Sequence, residues 1–388
     1  MTWLGNKRRT WLAISAAACA ALGTTATPAY AAPTIVDLGT LPGGSYSTAF
    51  AINDAGAAVG WSDAADGRTH AVRWFPPGRI VDLGTLPGGG SSMAFAVNNA
   101  GVVVGQANAA NGDLHAVRWD SQGVISDLEA LPGHARSMAI EINQAGEIIG
   151  RSAVNVRSNS QGVRWDSSGQ ITDLGYESRA YAINDAGLAA GDSSSGEPVI
   201  WDRKGRITKV EHGGGLASAN AGINEAGMVA GVVGLSDGTF HAVRWNRHGD
   251  LTDLDSLSER SNCMAVGINN AGTVAGTADA EIAARHAVRW DRHGKITDLE
   301  TLGGNPGPYP PSSQATAIND AGIVIGSATT NSGTNAVRWD RHGRITDLGT
   351  LGGNSSSAYA INATGVVVGV SNIDDSISHA VLWRSPRP

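Results

Sequence analysis

The stretch Asn319-Asp320-Ala321-Gly322 decides the fold, because copies of it recur along the whole chain. Each copy ends one apolar run and opens the next, which is the pattern of a tight hairpin turn between two strands. Asn can accept a backbone hydrogen bond at the start of such a turn, and Gly supplies the positive φ at its end. The pattern Asn-x-Ala/Thr-Gly occurs eight times, with its first residue at Asn53, Asn98, Asn143, Asn184, Asn224, Asn269, Asn319 and Asn362.

The copies are regularly spaced. The seven intervals between Asn53 and Asn362 run from 40 to 50 residues and average about 44, and a fixed period of this length marks a repeat architecture. Each unit holds four short runs with strand character, bounded by turn residues, and no helical periodicity appears after residue 31. Near the C-terminus these runs are 344–348, 358–361, 366–369 and 379–383. Four strands in about 44 residues predict the blade of a β-propeller.

Two further repeats count the blades. An Asp-Leu strand recurs seven times, and an eighth copy carries Lys209 where the others have Asp. A Trp ends the third strand of every unit, at Trp74, Trp119, Trp165, Trp201, Trp245, Trp290, Trp339 and Trp383. Both repeats therefore predict eight blades.

The two ends of the chain complement each other. The chain begins with the Asp-Leu strand alone, from Thr34 to Leu38, and ends with the other three strands of a unit, at Trp383. An open solenoid would need polar capping repeats at both ends, whereas a ring uses its first strand to complete its last blade. We therefore predict an all-β fold in which residues 32–388 form a single eight-bladed β-propeller of four-stranded blades, closed by pairing the N-terminal strand into the last blade.

The repeat resembles a known family. A His-Ala-Val triplet precedes the blade Trp in five units, at His70, His115, His241, His286 and His379. Together with the Asn-x-Ala-Gly and Asp-Leu-Gly-Thr-Leu pieces, it is similar to the bacterial extracellular repeats called HAF, after a His-Ala-Phe triplet. The resemblance covers essentially the whole chain after residue 31. It implies secretion and repetition, and it implies no established activity and no catalytic residues.

Residues 1–31 have the features of a secretory signal peptide. Lys7, Arg8 and Arg9 precede an apolar run rich in Ala, and Ala29-Tyr30-Ala31 is a small-x-small cleavage site, so the mature chain is predicted to begin at Ala32. Arg8-Arg9 followed by Thr-Trp-Leu also fits a twin-arginine signal, which leaves the general secretory route and the twin-arginine route both open. No later apolar stretch is long enough to span a membrane, so we expect an extracellular protein with no membrane insertion after cleavage.

Charge and cysteine content limit the function further. Residues 32–388 carry 25 Lys and Arg against 35 Asp and Glu, a net charge of −10. This balance argues against nucleic acid or an anionic membrane as the partner. Cys263 is the one cysteine in this part of the chain, so no internal disulfide can form, and a buried inert thiol is the favoured interpretation over a nucleophile.

No residue set carries an enzyme signature. The five triplet His fall one per blade, spread around the ring, and cannot converge on one metal ion, so a repeated structural hydrogen bond is the favoured role. The repeated Trp is read as packing between blades. Sialidase boxes, a Gly-x-Ser-x-Gly elbow and a calcium loop are not found in the sequence. We assign no catalytic, metal or cofactor-binding residue and expect no cofactor.

Two functional hypotheses remain. The leading one is a monomeric, secreted, non-catalytic binding or scaffolding propeller whose ligand is a glycan, a cell-wall component or a protein. The alternative is a secreted carbohydrate-active hydrolase or lyase with carboxylates at the propeller axis. The axial mouth distinguishes them, because two acids about 5–10 Å apart would favour glycoside hydrolysis, and a mouth of Ala, Ser and Gly would favour binding.

One blade breaks two repeat rules at once. Glu197 replaces the His of the triplet, and Lys209 replaces the Asp of the outer strand. With a turn and a Gly bulge at Gly205, the two side chains become diagonal neighbours on the same face. We therefore predict an Asp–His pair in most blades and a Glu–Lys pair of reversed polarity here, with coincidence as the alternative.

Hairpin order separates the connections into two faces. The Asn-x-Ala-Gly and Asp-x-x-Gly turns should share one face, where they are nearly identical, as expected of turns under backbone constraint alone. The other two connections share the opposite face and vary in length and content, which usually marks a binding face. The largest departure is the Pro-rich insertion 305–311, so Asn305 and Tyr309 are the candidate binding residues.

Overall fold

The structure is a computed structural model that describes residues 32–75, 78–211, 216–258, 261–281, 284–304, 307–308 and 310–384. The predicted signal peptide lies outside these residues. Every regular element in the described ranges is a β-strand. In the same ranges there is no helix of the length and hydropathy needed to cross a bilayer.

The strands follow the four-per-unit pattern. The first is β1 (Thr34–Asp37), and blade 1 then comprises β2 (Ser47–Ile52), β3 (Ala58–Asp63), β4 (Thr69–Phe75) and β5 (Arg79–Asp82). Blade 2 comprises β6 (Ser92–Val97), β7 (Val103–Asn108), β8 (Leu114–Trp119) and β9 (Ile125–Asp127). Blade 3 comprises β10 (Arg136–Ile142), β11 (Ile148–Ala153), β12 (Gln161–Trp165) and β13 (Ile171–Asp173). Blade 4 comprises β14 (Arg179–Ile183), β15 (Ala189–Asp192), β16 (Pro198–Trp201) and β17 (Ile207–Lys209).

The second half repeats this arrangement. Blade 5 comprises β18 (Ala217–Ser218), β19 (Val229–Gly234), β20 (Phe240–Trp245) and β21 (Leu251–Asp253). Blade 6 comprises β22 (Cys263–Ile268), β23 (Val274–Glu281), β24 (Ala284–Trp290) and β25 (Ile296–Asp298). Blade 7 comprises β26 (Ser313–Ile318), β27 (Val324–Thr329), β28 (Thr334–Trp339) and β29 (Ile345–Asp347). The chain ends with β30 (Ser356–Ile361), β31 (Val367–Asn372) and β32 (Ser378–Arg384).

The protein is an eight-bladed β-propeller, as predicted. Each blade is a four-stranded antiparallel sheet in chain order, and blade 8 has the order β1-β32-β31-β30. In that blade Ile35 lies opposite Trp383 and Asp37 opposite Val381, and the Leu38 N–H donates to the Ala380 carbonyl at 2.9 Å. The predicted closure of the ring by the first strand is therefore confirmed.

The blade Trp residues form the core between blades. All eight have 0% exposure. Trp74, for example, packs in one cluster with Leu38 and Leu382, which belong to the preceding blade. Burying an aromatic side chain removes roughly 150–250 Å² from water, on the order of 4–6 kcal/mol at about 25 cal/mol per Å². The interpretation of the Trp repeat as packing between blades is confirmed.

The two kinds of connection lie on opposite faces, as the hairpin order requires. Arg73, at the end of the third strand of blade 1, donates to the carbonyl of Gly101 at 2.9 Å and to the carbonyls of Asp120 and Ser121 at 3.1 and 2.9 Å. Gly101 closes the Asn turn of blade 2 and Asp120 opens its Asp-x-x-Gly turn, so both turns share one side, which we call the turn face. On the other side, the loop face, Asp63 of one connection accepts the Tyr46 N–H of the other at 2.7 Å.

We expect a chain that lacks residues 32–40 to lose several kcal/mol of unfolding free energy relative to the chain 32–388. Without β1, the backbone donors and acceptors along one edge of β32 are exposed, and Leu38 leaves the cluster around Trp74. Thermal and urea unfolding of both chains measures the difference. An unchanged midpoint would contradict the role of β1 in ring stability.

Candidate functional site

A closed circle of side-chain hydrogen bonds surrounds the propeller axis. The first strand of each blade lies next to the axis and ends at the repeated Asn. In every blade the Asn side-chain amide donates to the backbone carbonyl of the Asn in the following blade, at 2.9–3.2 Å, and Asn362 donates to Asn53 to complete the circle. We call this set of eight residues the Asn ring. The turns are therefore constrained by their neighbours as well as by their own backbone, which corrects the sequence expectation.

The same Asn side chains also make the predicted turn contact. The Oδ1 of Asn53, for instance, accepts the Ala57 N–H at 2.9 Å, while the Gly56 N–H donates to the Asn53 carbonyl and Gly56 has φ +84°. Asp would supply the same acceptor, but it has no amide N–H to donate. The sequence contained a signal for the Asn ring: all eight units have Asn at this position, and none has Asp.

The residue after each ring Asn forms a second layer at the axial mouth on the turn face. These residues are Asp54, Asn99, Gln144, Asp185, Glu225, Asn270, Asp320 and Ala363. In seven of the eight steps the backbone N–H of one such residue donates to the side-chain oxygen of the next, at 2.8–3.2 Å. The exception is the step from Asp320 to Ala363, because Ala363 has no side-chain acceptor.

A cavity of about 330 Å³ opens at this mouth. Its lining includes the Ile or Val that precedes the ring Asn in six blades, together with several of the ring Asn residues, and its rim includes Asp54, Glu225 and Asp320. The mouth is thus acidic and amide-rich, and it is not the mouth of Ala, Ser and Gly considered for a pure binding propeller. Among the described residues, no group of three or more His, Cys, Asp or Glu is arranged to hold a metal ion.

The mouth carboxylates act as hydrogen-bond acceptors between blades. Asp54 accepts the Ala363 N–H at 2.9 Å with one oxygen and the Asn99 amide at 2.8 Å with the other. Asp320 accepts the backbone N–H and the side-chain amide of Asn270, each at 2.9 Å. Carboxylates engaged in this way hold neighbouring blades together.

Glu141 is a carboxyl group that the sequence analysis missed. It occupies a position on the innermost strand where the other blades have Ala or Gly, and it lies between blades 3 and 4. Burial raises the pKa of Glu141 to about 7, although the Ile183 N–H donates to its Oε2 at 2.9 Å and opposes that rise. Its departure from the Ala/Gly pattern was the available signal. A single carboxyl group with this pKa is suited to proton exchange, and within the part of the chain that the structure describes no second carboxyl is bonded to it.

The triplet His residues each pair with the Asp of the adjacent outer strand. His Nδ1 lies 2.6–3.1 Å from the carboxylate in five blades, and the pairs are His70–Asp82, His115–Asp127, His241–Asp253, His286–Asp298 and His379–Asp37. Gln161 and Asn335 replace His in two further blades and donate to Asp173 and Asp347 at 3.0 Å. The expectation of a repeated structural hydrogen bond is confirmed, one pair per blade around the ring.

The Glu–Lys replacement in blade 4 is also present. Lys209 Nζ lies 3.2 Å from Glu197 Oε2. Lys209 is opposite Val199 in the register, two residues from Glu197, so the two side chains are the predicted diagonal neighbours. The Lys209 side chain is 77% exposed, so the pair contributes only about 0–1 kcal/mol.

Cys263 is buried and occupies a structural position. It is fully buried at the start of β22, where six other blades have Ser. Burial raises the pKa of its thiol, and contacts with Ser261 only partly oppose this. A buried thiol with a raised pKa is a poor nucleophile, which agrees with the interpretation as an inert thiol.

The loop face carries most of the exposed apolar side chains. Among the described residues, eight of the eleven large exposed hydrophobic ones lie there, namely Tyr46, Val154, Val156, Tyr176, Leu216, Leu235, Phe240 and Met264. Val124 and Ile207 lie on the turn face, and Tyr359 lies on the innermost strand of blade 8. The candidate binding residues Asn305 and Tyr309 fall outside the described residues, so the structure makes no statement on them.

A buried ion pair within blade 3 borders blade 4 on the turn face, where Arg164 Nη1 also donates to the carbonyl of Gly187 in blade 4 at 2.8 Å. Arg164 is 3% exposed, and its Nη2 lies 2.7 Å from Oε1 of Glu147, which also lies 3.1 Å from Arg203. Burial opposes ionisation of Glu147, but the hydrogen bond from Asn143 and the positive charge of Arg164 outweigh it and lower the pKa of Glu147. In blade 4, Leu188 occupies the position of Glu147 and Ile200 the position of Arg164.

Comparisons with known proteins give the fold and no function. No protein-family model matches the chain, and no curated protein is a match to its sequence. Among solved structures it is similar to dipeptidyl peptidase 4 from Porphyromonas gingivalis, with 8% identity, a TM-score of 0.51 and coverage of 75% of this chain and 48% of that chain. It is also similar to a streptogramin B lyase, with 15% identity, a TM-score of 0.46 and coverage of 75% and 92%. At these identities the likeness concerns the propeller fold alone.

We expect Asn319→Ala to lower the unfolding free energy by roughly 2–4 kcal/mol, because it removes a buried donor and acceptor and leaves their partners on Ile323 and Asn362 unsatisfied. Asp320→Ala is the matched control, since it copies Ala363 of blade 8, and it should cost less than about 1 kcal/mol. Urea unfolding measures both. Equal effects would contradict the distinction between the Asn ring and the outer layer.

We expect Glu147→Gln to destabilise the protein by roughly 1–3 kcal/mol at pH 7, because the buried Arg164 loses its charged partner. The folded pKa of Glu147 is lowered, so its contribution is present above the unfolded pKa of about 4.3 and is lost as the pH falls through the folded value. The variant should therefore show a flatter stability profile below about pH 4.

The double variant Glu147→Leu with Arg164→Ile reproduces the apolar pair of blade 4 and should recover much of the loss. Urea unfolding from pH 3 to pH 7 measures all three proteins. If the double variant is less stable than Glu147→Gln, then Arg164 stabilises the protein mainly through its contacts with blade 4 and not through its pairing with Glu147.

Proposed function

We propose that this chain is a secreted β-propeller of the HAF repeat type that acts without catalysis, by binding another extracellular protein through its loop face. The observation that carries the proposal is the concentration of exposed apolar side chains on that face, eight of eleven. Exposed apolar surface that is grouped on one side of a soluble protein is typical of an interaction site. Secretion rests on the features of residues 1–31.

Four of these side chains form one patch on blades 5 and 6. Leu216, Leu235, Phe240 and Met264 are 80%, 41%, 42% and 45% exposed. The Gly234 N–H donates to the Leu216 carbonyl, and the Phe240 N–H donates to Oδ1 of Asn262 at 3.0 Å, which brings the segments that carry them together. We call these four residues the apolar patch.

The chemistry of the apolar patch favours a protein partner over a glycan. Leu and Met present flexible aliphatic surface, and aromatic residues with Met are enriched at protein interfaces. A sugar platform needs flat exposed aromatic rings, and the apolar patch has one, Phe240, among three aliphatic side chains, while the eight blade Trp are fully buried. The carbohydrate-active alternative has less support, because the carboxylates of the axial mouth accept hydrogen bonds between blades.

The test is retention of proteins and glycans from the culture medium of the source bacterium on immobilised chain 32–388. The double variant Phe240→Ser with Met264→Ser should lose roughly tenfold or more in affinity for a retained protein, as expected when central apolar contacts are removed. Val124→Ser with Ile207→Ser is the matched control on the turn face and should bind like the parent chain.

Two outcomes would contradict the proposal. Retention of cell-wall glycan, unaffected by either double variant, would assign the binding to sugars at another site. Sedimentation velocity provides the second check, because a concentration-dependent dimer that Phe240→Ser with Met264→Ser abolishes would mean that the apolar patch binds a second copy of this chain.

A further inference from the structure

The outer turns of four consecutive blades carry an unusual set of positive charges. The turns that follow the blade Trp in blades 4 to 7, with the residue after each turn, span 202–206, 246–250, 291–295 and 340–344, and the turn of blade 5 begins with Asn246 in place of Asp. Eight Lys and Arg stand there against four Asp, a surplus of four positive charges on a chain whose overall balance is negative. All of these basic residues are exposed, and they are Arg203, Lys204, Arg206, Arg247, Arg292, Lys295, Arg341 and Arg344. We call this set the basic arc.

The turn itself does not require these charges. Blades 2 and 3 form the same turn with Ser121-Gln122 and Ser167-Ser168 at its centre, and the closing hydrogen bonds are the same. In both versions the Gly N–H donates to the carbonyl of the first residue at 2.9–3.0 Å. Outside blades 4–7, Arg79 of blade 1 is the one basic residue at an equivalent position in the described turns. The concentration of Lys and Arg in blades 4–7 is therefore not required by the turn, and it places charge on one part of the turn face.

Three of the basic residues pair with carboxylates: Arg206 lies 2.6 Å from Asp202, Arg344 lies 2.8 Å from Asp340, and Arg203 lies 3.1 Å from Glu147. Asp291 and Asp340 each accept two backbone N–H groups of their own turn, at 2.8 and 3.0 Å. Within the described ranges, Arg247, Arg292 and Arg341 make no ion pair with a carboxylate at 4.0 Å or less. Each of the three instead donates its Nε–H to the Nε2 of the following His, at 3.0–3.1 Å. This contact leaves the two Nη groups of each guanidinium available.

The three repeated Arg–His turns hold their guanidinium groups in the same way. The backbone N–H of His248, His293 and His342 donates to the first residue of the turn at 2.8 Å in each case. Arg247 and Arg341 also pack at their Cβ atoms beside Gly227 and Gly322, the glycines of the Asn turns of their own blades. The charges thus repeat from blade to blade along one side of the ring, outside the axial mouth.

We propose that the basic arc binds an extended anionic polymer, an acidic polysaccharide or a polyphosphate, by charge along its backbone. The charges extend over four blades, so a small anion could contact only one or two of them, and a polymer could contact the whole arc. The described residues of these turns include no Phe, Tyr or Trp, the large rings on which the bases of single-stranded nucleic acid stack. The net negative charge of the chain argued against a polyanion as partner. The concentration of positive charge in the basic arc allows a polyanion to bind there.

The proposal is independent of protein binding at the apolar patch, because the two surfaces lie on opposite faces. The triple variant Arg247→Ser, Arg292→Ser, Arg341→Ser copies the Ser found at the same turn position in blades 2 and 3, so it should fold. The triple variant Arg68→Ser, Arg157→Ser, Arg285→Ser removes the same charge from the loop face and is the matched control.

Binding of chain 32–388 to dextran sulfate, polygalacturonate and long-chain polyphosphate is measured by calorimetry at 50 and 200 mM salt. The parent chain should bind at least one of these polymers, with affinity that falls as salt rises because counterions are released. The turn-face variant should lose roughly tenfold or more, with a weaker salt dependence, and the loop-face variant should match the parent chain. The polymer that binds best identifies sulfate, carboxylate or phosphate as the preferred group.

Three results would overturn the proposal: no binding of the parent chain to any of the polymers, equal losses in the two triple variants, or tighter binding to duplex DNA than to all three. The last would assign the basic arc to nucleic acid. The two proposals can fail separately. A chain that binds a protein partner but no polymer would contradict only the basic arc, and a chain that binds a polymer but no protein would contradict only the apolar patch.

Discussion

The propeller depends on one side chain that makes two bonds in different directions. Each Asn of the Asn ring uses its carbonyl oxygen to close its own turn and its amide N–H to bind the next blade. Each of the eight blades is therefore held at the axis by a hydrogen bond to the blade that follows it. Each such hydrogen bond contributes only about 0.5–1.5 kcal/mol net, but leaving a buried partner unsatisfied costs more, and the loss of one member affects two blades at once.

The fold was predictable from the sequence because a repeated pattern reveals the turns and strand pairs that form within each unit. The turn at Asn319, the strand at Thr34–Asp37 and the pairing of Glu197 with Lys209 all follow from positions within a unit or from the two chain ends. Contacts between units were not predictable in this way. The period gives the spacing of equivalent residues, but it does not give the rotation from one blade to the next, so the partners of the Asn amide and of Arg73 were missed.

The candidate site was less predictable for a related reason. The acidic mouth consists of residues that differ from unit to unit, such as Asp54, Gln144 and Glu225, and a search for what repeats overlooks them. Glu141 was missed in the same way.

A departure from the repeat in one blade can also be linked through space to a departure in the next blade. Ser in six blades accepts a backbone N–H from the preceding blade, but Pro198 has no N–H to give, and Ser218 donates to Asp192 at 2.8 Å instead.

The pairing of β1 with β32 has a consequence for the order of events during synthesis. The strand that completes the last blade is synthesised more than 340 residues before its partner. Until then β1 has no partner, and blade 1 lacks the neighbour that covers Trp74. Closing so long a loop is slow compared with forming a single hairpin, and unpaired edges promote aggregation in the meantime. The native ring can therefore form only after β32 has been synthesised.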